Sequence, residues 1–187
     1  MSPRPVPPGP VPPRYRAAVP SDADQIAALH ADSWRRNYRG AYLDSYLDGD
    51  VFADRVSVWT SRLERPSPED RTFVGELDAT VVGFAHVILD HDPEWGALLE
   101  NLHVAHGHKG HGIGTGLMAR AAHAVLRHAS PTGLYLRVLV QNTAAQAFYR
   151  SRGGVCVGER MGGPFPGGGT APVFLYGWPD PAALVSS

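Results

Sequence analysis

The sequence predicts an α/β fold in which helices cover a mixed β-sheet. The first observation is a change in hydrophobic period, which is 3.6 residues over 26–39 and 51–64 and becomes 2 after the breaker RPSPED at 65–70. The second is that strand and helix patterns alternate in the second half of the chain. The third is the nearly apolar run GLYLRVLV at 133–140, which is typical of a central, buried strand.

The predicted helices have amphipathic spacing and recognisable ends. The first has Ser21 as its expected N-cap and acidic residues in its first turn. Asn142 is the expected N-cap of the last helix, which ends near Gly153. The segment between the first two helices looks like a bent connection. The predicted helices cover about 22–39, 51–64, 117–128 and 143–152.

The predicted strands are rich in β-branched and aromatic residues. Two of them are separated by Asp78 and Ala79 alone, which favours an antiparallel hairpin. The order of all elements, β-α-α-β-β-β-α-β-α-β-β, indicates an α/β layer with a mixed sheet. The strand patterns cover 14–19, 71–77, 80–90, 95–104, 133–140, 155–161 and 172–178.

Composition and charge exclude several classes of function. The 187 residues are 43% apolar with a formal net charge of -1, which suits one domain with a core and disfavours a general nucleic-acid binder. The single cysteine, Cys156, cannot form an intrachain disulfide. The N-terminus lacks the apolar stretch of a signal peptide, and no apolar run approaches the ~18 residues of a membrane span. We therefore expect a soluble, cytoplasmic protein without nucleic-acid or membrane partners.

The folded part is expected to be a single domain over residues 14–180. Residues 1–13 hold seven prolines and little that could pack, so they predict a disordered or polyproline II tail. A proline-rich ligand for another protein is the alternative interpretation of that segment. Residues 181–187 are expected to form a short C-terminal tail.

A glycine-rich stretch joins the predicted strand 95–104 to the helix that follows. It has glycines at positions 107, 110, 112, 114 and 116. The first turn of a helix has N–H groups without intrahelical partners, and glycines remove the side chains that would keep a phosphate away from them. Lys109 is followed by Gly110, which excludes a P-loop, and the G-x-G-x-G spacing of 112–116 excludes the dinucleotide fingerprint. The stretch predicts a phosphate site of another kind.

The same stretch resembles the acetyl-CoA signature of the GNAT N-acetyltransferase superfamily. In that signature a strand ending L-x-V precedes a loop of the form [QR]-x-x-G-x-[GA]. Leu102-His103-Val104 matches the strand end, and residues 109–114 match the loop. Lys109 stands where the family prefers glutamine or arginine, so the positive charge is kept.

A second match to the family follows the strand 133–140. Family members have an asparagine there and then a helix with a Phe-Tyr pair ahead of a glycine. The matching residues of this chain are Asn142, Ala145, Phe148, Tyr149 and Gly153. The N-terminal strand and helix also look like those of the family, so the resemblance covers about residues 14–178.

The resemblance implies a mostly antiparallel sheet of six to seven strands, flanked by about four helices, with two parallel central strands that splay apart. Acetyl-CoA would be the cosubstrate. Its pantetheine arm would lie between strands 98–104 and 134–140, and its pyrophosphate on the amides of 109–115. No metal is expected. The implied cofactor-binding residues are Leu102, His103, Val104, Lys109, Gly110, His111, Gly112, Ile113, Gly114, Thr115, Asn142, Ala145, Phe148 and Tyr149.

The resemblance also implies that an amine of a small molecule or peptide attacks the thioester directly, in a ternary complex. Tyr149 matches the general acid of the family. A phenol with an ordinary pKa near ~10 is protonated at neutral pH and can donate to a thiolate with a pKa near ~8.5. A tyrosine that only packs in the core is the competing interpretation.

Glu100 is the candidate general base. Strand alternation would place it on one face with Leu98 and Val104, where apolar neighbours would raise its pKa. An exposed glutamate without a role is an equal alternative. His86, His103 or a chain of waters are further candidates for accepting the proton.

An aromatic stripe on the first helix is the candidate substrate-binding surface. It comprises Trp34, Tyr38 and Tyr42. Such a stripe is usually core, but in the family this helix and the loop after it form the lip of the acceptor pocket. The nearby Arg35, Arg36 and Arg39 would favour an acceptor with a carboxylate or phosphate, whereas a solvated basic face is the more ordinary interpretation.

Other functions stay open at this point. His106, His108 and His111 offer imidazoles to a metal, but no acidic residue or cysteine is near in sequence and glycines position ligands poorly. A non-catalytic acyl-CoA-binding or sensor module on the same fold is the main alternative, and transfer of a longer acyl group is a variant. A homodimer is expected by analogy with the family, with the late strands and the loop 162–172 as contacts.

Overall fold

Within residues 12–130 and 133–185, which this computed structural model describes, the chain forms seven strands and five α-helices. The strands are β1 (Arg14–Ala17), β2 (Asp70–Leu77), β3 (Thr80–Asp92), β4 (Gly96–Val104), β5 (Leu134–Leu139), β6 (Val155–Gly162) and β7 (Ala171–Trp178). The helices are α1 (Ala23–Asn37), α2 (Asp44–Asp48), α3 (Val51–Glu64), α4 (Ile113–His128) and α5 (Thr143–Ser151). The predicted α/β class is confirmed.

The described strands join in one sheet with the order β1-β2-β3-β4-β5-β7-β6. Each neighbouring pair is antiparallel except β4 and β5, which are parallel. β2 and β3 form the predicted hairpin, and Asp78 and Ala79 adopt φ angles of 47° and 63° in its two-residue turn. The sheet is therefore mostly antiparallel with one parallel pair at its centre, as the resemblance implied.

The parallel strands β4 and β5 separate soon after they begin. Their ladder consists of Ala97 opposite Leu134 and Leu98 opposite Tyr135. Beyond these rungs the two strands diverge, so the backbone groups of β4 that face β5 have no strand to pair with. The predicted splay of the central strands is confirmed.

A β-bulge in β4 accompanies the divergence. Val87 of β3 faces Leu99, but His86 faces Asn101, which leaves Glu100 without a partner on β3. A bulge bends its strand and increases the local twist. The gap between β4 and β5 thus arises from the path of the backbone.

Helices cover both faces of the sheet. On one face α4 and α5 enclose the largest hydrophobic cluster, which includes Leu117 of α4 and Leu136 of β5. On the other face α1 and α3 pack Ile26 and Trp59 against Phe84 of β3. The gap between β4 and β5 therefore opens between α1 on one side and the N-terminal ends of α4 and α5 on the other.

The start of α4 differs from the prediction. The helix begins at Ile113, four residues ahead of the predicted Leu117. Gly112 occupies the N-cap with φ 77°, a left-handed conformation that glycine adopts without a steric cost. Glycine lowers helix propensity, which is why the periodic pattern alone placed the start too late.

The α1 region also differs. Asp22, rather than the predicted Ser21, is the residue before the helix, because a 3₁₀ turn over Pro20–Asp22 precedes it. The helix ends at Asn37, two residues before the predicted end. The expected bent connection contains the short helix α2, which is too brief to show a hydrophobic period.

The chain packs beyond the expected C-terminal limit of the domain at residue 180. Pro181–Leu184 form a 3₁₀ turn, and Leu184, 2% exposed, joins the cluster under α4. The predicted N-terminal tail lies outside the described residues except for Pro12 and Pro13. Among the described helices, none is both long and apolar enough to cross a membrane.

Candidate active site

A cavity of about 520 Å³ fills the gap between β4 and β5. It extends from α1 to the loop before α4 and to α5. Three of the predicted site residues, Trp34, Tyr42 and His111, do not line it. Those that do are Tyr38, Glu100, Leu102, His103, Val104, Lys109, Gly110, Gly112, Ile113, Gly114, Thr115, Asn142, Ala145, Phe148 and Tyr149.

The loop before α4 presents backbone amides to the cavity. The first hydrogen bond of the helix runs from the Gly116 amide to the Gly112 carbonyl over 2.9 Å, so the amides of 113–115 precede any intrahelical bond. A Cβ at Gly110 or Gly112 would meet no atom within 4 Å. The space in front of these amides is open, which fits the phosphate site expected from the sequence.

Two further glycines of the stretch serve packing. A Cβ at Gly116 would lie 2.2 Å from the ring of Tyr15 on β1, and a Cβ at Gly114 would lie 3.3 Å from the ring of Phe148 on α5. Both rings approach the backbone of α4 because no side chain intervenes. These contacts hold the first turn of α4 in its place beside the cavity.

The polar side chains of this loop divide between the cavity and solvent. Lys109 and His108 line the cavity, whereas His111 is exposed and its Nδ1 lies 3.1 Å from the Lys109 carbonyl oxygen. The structure therefore does not bring His111 to the expected cofactor site. In the parts of the chain that are described, no group of three or more His, Cys, Asp or Glu residues is arranged to hold a metal ion.

Tyr149 reaches the cavity from α5. Asn142 caps this helix as predicted, with its Oδ1 accepting a hydrogen bond from the Ala145 amide over 3.2 Å. The Tyr149 side chain is 9% exposed, and its hydroxyl has no hydrogen-bond partner among the described residues. Burial raises the pKa of Tyr149 above the ordinary value expected from the sequence. The phenol is protonated at neutral pH and free to donate to a ligand.

Glu100 lies on the bulge of β4 and faces α3. Arg62 Nη1 and Asn101 Nδ2 donate hydrogen bonds to its Oε2. Burial alone would raise the pKa of Glu100, but the Arg62 guanidinium outweighs it and the pKa falls below its usual value. The prediction of a raised pKa is wrong, because the carboxylate meets Arg62 of α3 rather than apolar neighbours alone.

The histidines considered as alternative bases are buried and neutral. His103 lines the cavity with its Nδ1 2.8 Å from Ser33 Oγ, and burial lowers its pKa to about 3. His86 lies behind Glu100, with its Nε2 4.0 Å from the carboxylate, and burial lowers its pKa to about 4. Groups with such low pKa values are weak bases at neutral pH.

The predicted aromatic stripe runs past the end of α1, because the helix ends at Asn37 and Tyr38 and Tyr42 follow it. Of its three members, only Tyr38 borders the cavity. Trp34 and Tyr42 are 6% and 7% exposed, and Tyr42 stacks on Phe165 with ring centroids 4.7 Å apart. Burial raises the pKa of Tyr38 to about 12. Two of the three residues are core, as such stripes usually are, and the third lines the cavity from the side of α1.

The arginines interspersed with the stripe, Arg35, Arg36 and Arg39, are engaged away from the cavity. Their partners are the Leu47 carbonyl for Arg35, Asp32 for Arg36, and Asp44 and Asp48 for Arg39. None of the three arginines lines the cavity. The three arginines therefore make local polar contacts and do not contribute to the cavity.

Sequence reasoning missed several polar residues of the cavity lining, among them Ser33, Asn37, Arg137 and Arg152. The sequence did offer a sign that Arg137 is a candidate for the site, because Arg137 is the one charged residue in the otherwise apolar strand pattern 133–140. Ser33 and Asn37 are four residues apart on α1, and Asn37 Nδ2 donates to the Ser33 carbonyl over 2.7 Å. Helical spacing predicts that they share a face, but not what the face meets.

Solved structures with the same architecture include several acetyltransferases. The PaiA N-acetyltransferase of Thermoplasma acidophilum, in complex with coenzyme A, is similar with a TM-score of 0.69 and 16% identity, covering 90% of this chain and 100% of that one. An N-acetyltransferase of Staphylococcus aureus Mu50 has a TM-score of 0.65 and 18% identity, with 90% and 98% covered. The yncA protein of Salmonella typhimurium, with its cofactor acetyl-CoA, has a TM-score of 0.62 and 18% identity, with 89% and 92% covered.

Identities this low show a shared fold. No curated protein matches the sequence. The sequence model of the Acetyltransferase (GNAT) family, in contrast, matches residues 26–153, which is more than half of the chain. The matched segment contains the glycine loop, both splayed strands and α5. On this match, the chain belongs to the GNAT acetyltransferase family.

Proposed function

We propose that this protein is an N-acetyltransferase that moves the acetyl group of acetyl-CoA to a primary amine of a small molecule or peptide. The observation that carries the proposal is a single cavity that joins the amides of 113–115, the gap between β4 and β5, and the Tyr149 hydroxyl. A phosphate site, a channel for an extended thioester and a hydrogen-bond donor are thereby adjacent. Membership of the family supports the same activity.

Acetyl-CoA matches the two ends of this cavity. Its pyrophosphate would bind the open amides in front of α4, and Lys109 would add positive charge. Beyond Leu98, β4 has no ladder partner on β5, so its backbone groups are available to the amides of a pantetheine arm. The similar PaiA and yncA structures hold coenzyme A and acetyl-CoA, which supports the same cosubstrate here.

In the proposed reaction the amine nitrogen attacks the carbonyl carbon of the thioester. The carbon–sulfur bond then breaks, the sulfur leaves as a thiolate, and the nitrogen, which is cationic after its attack, loses its extra proton to water. Tyr149 donates a hydrogen bond to that sulfur. Because burial raises the pKa of Tyr149 above that of a thiol, the phenol stabilises the thiolate chiefly as a hydrogen-bond donor.

The attacking amine must first lose a proton. Glu100 has a lowered pKa and is ionised at neutral pH, which suits it to attract an ammonium group but makes it a weak base. We therefore assign Glu100 to orienting the ammonium and a water molecule that carries the proton to solvent. A homodimer and a cytoplasmic location remain predictions from the sequence.

Calorimetric titration with acetyl-CoA, followed by an assay of thiol release with a panel of amines, tests the proposal. We expect one-site binding and release of free thiol that depends on the amine. Tyr149→Phe should lower kcat by roughly 100-fold, the usual scale for loss of an acid–base group, with a Kd for acetyl-CoA within about two-fold of wild type. Absence of acetyl-CoA binding would overturn the proposal.

A non-catalytic acyl-CoA-binding module is the second candidate. It is favoured by the lack of a strong base, since Glu100 is paired with Arg62 and His103 is neutral. This candidate predicts acetyl-CoA binding without thiol release for any amine. It also predicts that Tyr149→Phe and the wild type behave alike in that assay.

A further inference from the structure

Arg137 projects from β5 toward the face of the sheet that α1 covers. Its neighbours Leu136 and Val138 belong to the hydrophobic cluster under α4, so strand alternation turns Arg137 to the opposite face. Leu139, two residues further on, packs with Trp34 of α1 and confirms this orientation. The exposed Arg137 side chain lines the cavity. It therefore belongs to the side of the gap away from α4.

Arg137 and Glu100 both line the cavity and come from the two strands on either side of the gap. Leu98 stands opposite Tyr135 in the last rung of the ladder. Two residues further along each strand are Glu100 and Arg137, at the point where the strands diverge. Paired strands lie about 4.8 Å apart before they separate, so a carboxylate and a guanidinium flank the mouth of the gap.

The guanidinium of Arg137 is unpaired. Among the described residues it has no hydrogen-bond or ion-pair partner. Arg62 on the same face pairs with Glu100, and Arg55 pairs with Asp54. The guanidinium offers its positive charge and its N–H donors to the cavity that it lines.

This side of the cavity consequently has one uncompensated positive charge. Glu100 is paired with Arg62 through its Oε2, and His103 is neutral because burial lowers its pKa to about 3. The remaining cations of the lining, Lys109 and Arg152, lie in the loop before α4 and at the end of α5. The charge of Arg137 is therefore available to bind an anionic group of the acceptor substrate.

We infer that the acceptor is a small amine that also has a carboxylate, as α-amino acids do, and that Arg137 binds this carboxylate. The inference rests on the proposed acetyl transfer and adds the class of acceptor to it. A guanidinium offers two parallel N–H donors that match a carboxylate, and such charge-assisted bonds are about twice as strong as neutral ones. Glu100 lies across the gap, and both of its hydrogen bonds end on Oε2. Its Oε1 would accept a hydrogen bond from the ammonium group of the same molecule and place that nitrogen between the strands.

Matched amines that differ by one carboxylate test the inference. The pairs are phenylalanine with phenethylamine, tyrosine with tyramine, and lysine with cadaverine. The measured quantity is kcat/KM for the carboxylated member divided by kcat/KM for the other, in the wild type and in Arg137→Gln. Dividing the wild-type ratio by the variant ratio cancels the difference in amine basicity within a pair.

We expect this quotient to be about 10 or more, the scale of one charge-assisted pair, while the Kd for acetyl-CoA changes by less than about two-fold. Arg160→Gln is the matched control, because it removes an exposed arginine from β6, which does not line the cavity. Its quotient should be near 1. Arg137→Lys keeps the charge without the planar fork and should give an intermediate value.

The outcomes separate the inference from the proposed function. Turnover by the wild type with a quotient near 1 for Arg137→Gln overturns the inference and leaves acetyl transfer standing. Absence of turnover with every amine overturns the proposed function. A ten-fold rise in the Kd for acetyl-CoA in Arg137→Gln would assign the residue to the cofactor instead. If the pair O-phosphoethanolamine and ethanolamine gave a larger quotient than the carboxylate pairs, the acceptor group bound by Arg137 would be a phosphate rather than a carboxylate.

Discussion

Tyr149 combines a buried ring with a hydroxyl that no described residue binds. Burial disfavours the phenolate, so its pKa lies above the ordinary value of 10.0. As pH rises, the neutral form is kept until the pH passes this raised pKa. The residue therefore keeps its donor hydrogen over the whole range in which most amine acceptors become deprotonated.

The expected result is that kcat does not fall between about pH 8 and about pH 10 through titration of Tyr149. The check is a pH profile of kcat at saturating acetyl-CoA and amine, with protein stability followed at each pH. Tyr149→Phe provides the reference profile. A decline below pH 10 in the wild type that is absent from Tyr149→Phe would contradict the assigned burial effect.

At Glu100 the decisive partner is Arg62, which offsets the effect of burial. Arg62→Gln removes the main group that lowers the pKa of Glu100 and leaves the weaker effect of the Asn101 hydrogen bond, so this pKa is expected to rise. Protonation removes the charge that attracts the ammonium, so the acid limb of kcat/KM should move to higher pH. Profiles between about pH 5 and pH 8 measure this shift.

Arg65→Gln is the control for that experiment. Arg65 follows α3 directly and donates to Ser61 Oγ over 3.2 Å, without contact to Glu100. Its profile should coincide with that of the wild type. Identical profiles for wild type and Arg62→Gln would show that the Glu100 charge has no part in turnover.

At the scale of elements, the sequence predicted best where a hydrophobic period is long and uninterrupted. The predicted helix 51–64 coincides with α3, whose apolar residues recur over four turns. The predicted start of α4 was too late in the sequence, because glycines do not contribute to a hydrophobic period. Gly112, however, adopts the left-handed N-cap conformation from which the helix begins. The bulge at Glu100 was missed because its cause lies in pairing with β3, and one-residue bulges reverse the face that alternation predicts.

Two glycine substitutions separate the conformational and packing roles of the α4 start. Gly112→Ala places a Cβ in open space but at φ 77°, which costs about 1–2 kcal/mol and distorts the amides of 113–115. We expect the Kd for acetyl-CoA to rise by about ten-fold. Gly116→Ala places a Cβ 2.2 Å from the Tyr15 ring and should lower the free energy of unfolding by about 1–3 kcal/mol.

Calorimetry with acetyl-CoA and urea unfolding, applied to both variants, measure the two effects. The expected pattern is a larger binding defect in Gly112→Ala and a larger loss of stability in Gly116→Ala. The double substitution Gly116→Ala with Tyr15→Leu should recover part of the stability, because the ring that blocks the new Cβ is removed. A larger binding defect in Gly116→Ala would contradict the assigned roles.

On the scale of the whole molecule, the central gap divides the site into a side that sequence motifs predict and a side that they do not. The glycine loop and α5 are contiguous segments, so their residues could be placed in the cavity from local patterns. Ser33 and Arg137 come from distant parts of the chain, and they line one cavity only because β4 pairs with β5 and α1 covers the same face. Long-range pairing of this kind leaves no local signal beyond the isolated charge of Arg137.

The face of the sheet that α1 and α3 cover also buries three neutral histidines. His30, His86 and His103 are 1%, 1% and 9% exposed. Burial lowers the pKa of His30 well below 6.5, that of His86 to about 4 and that of His103 to about 3. Since the unfolded chain would bind protons at about pH 6.5 and the folded one would not, stability is complete above that pH and decreases as the pH falls below it.

The free energy of unfolding should therefore fall between about pH 6.5 and pH 4.5, by up to about 1.4 kcal/mol per pH unit for each of these histidines. Urea unfolding at intervals across this range measures the slope. His86→Gln removes one titrating group and keeps a polar side chain near Thr72, whose Oγ1 lies 2.8 Å from His86 Nδ1, so the slope should drop by about a third. A stability that is constant from pH 7 to pH 5 would mean that the buried imidazoles gain protons without unfolding, and the sheet would then have to open locally toward α3 to solvate them.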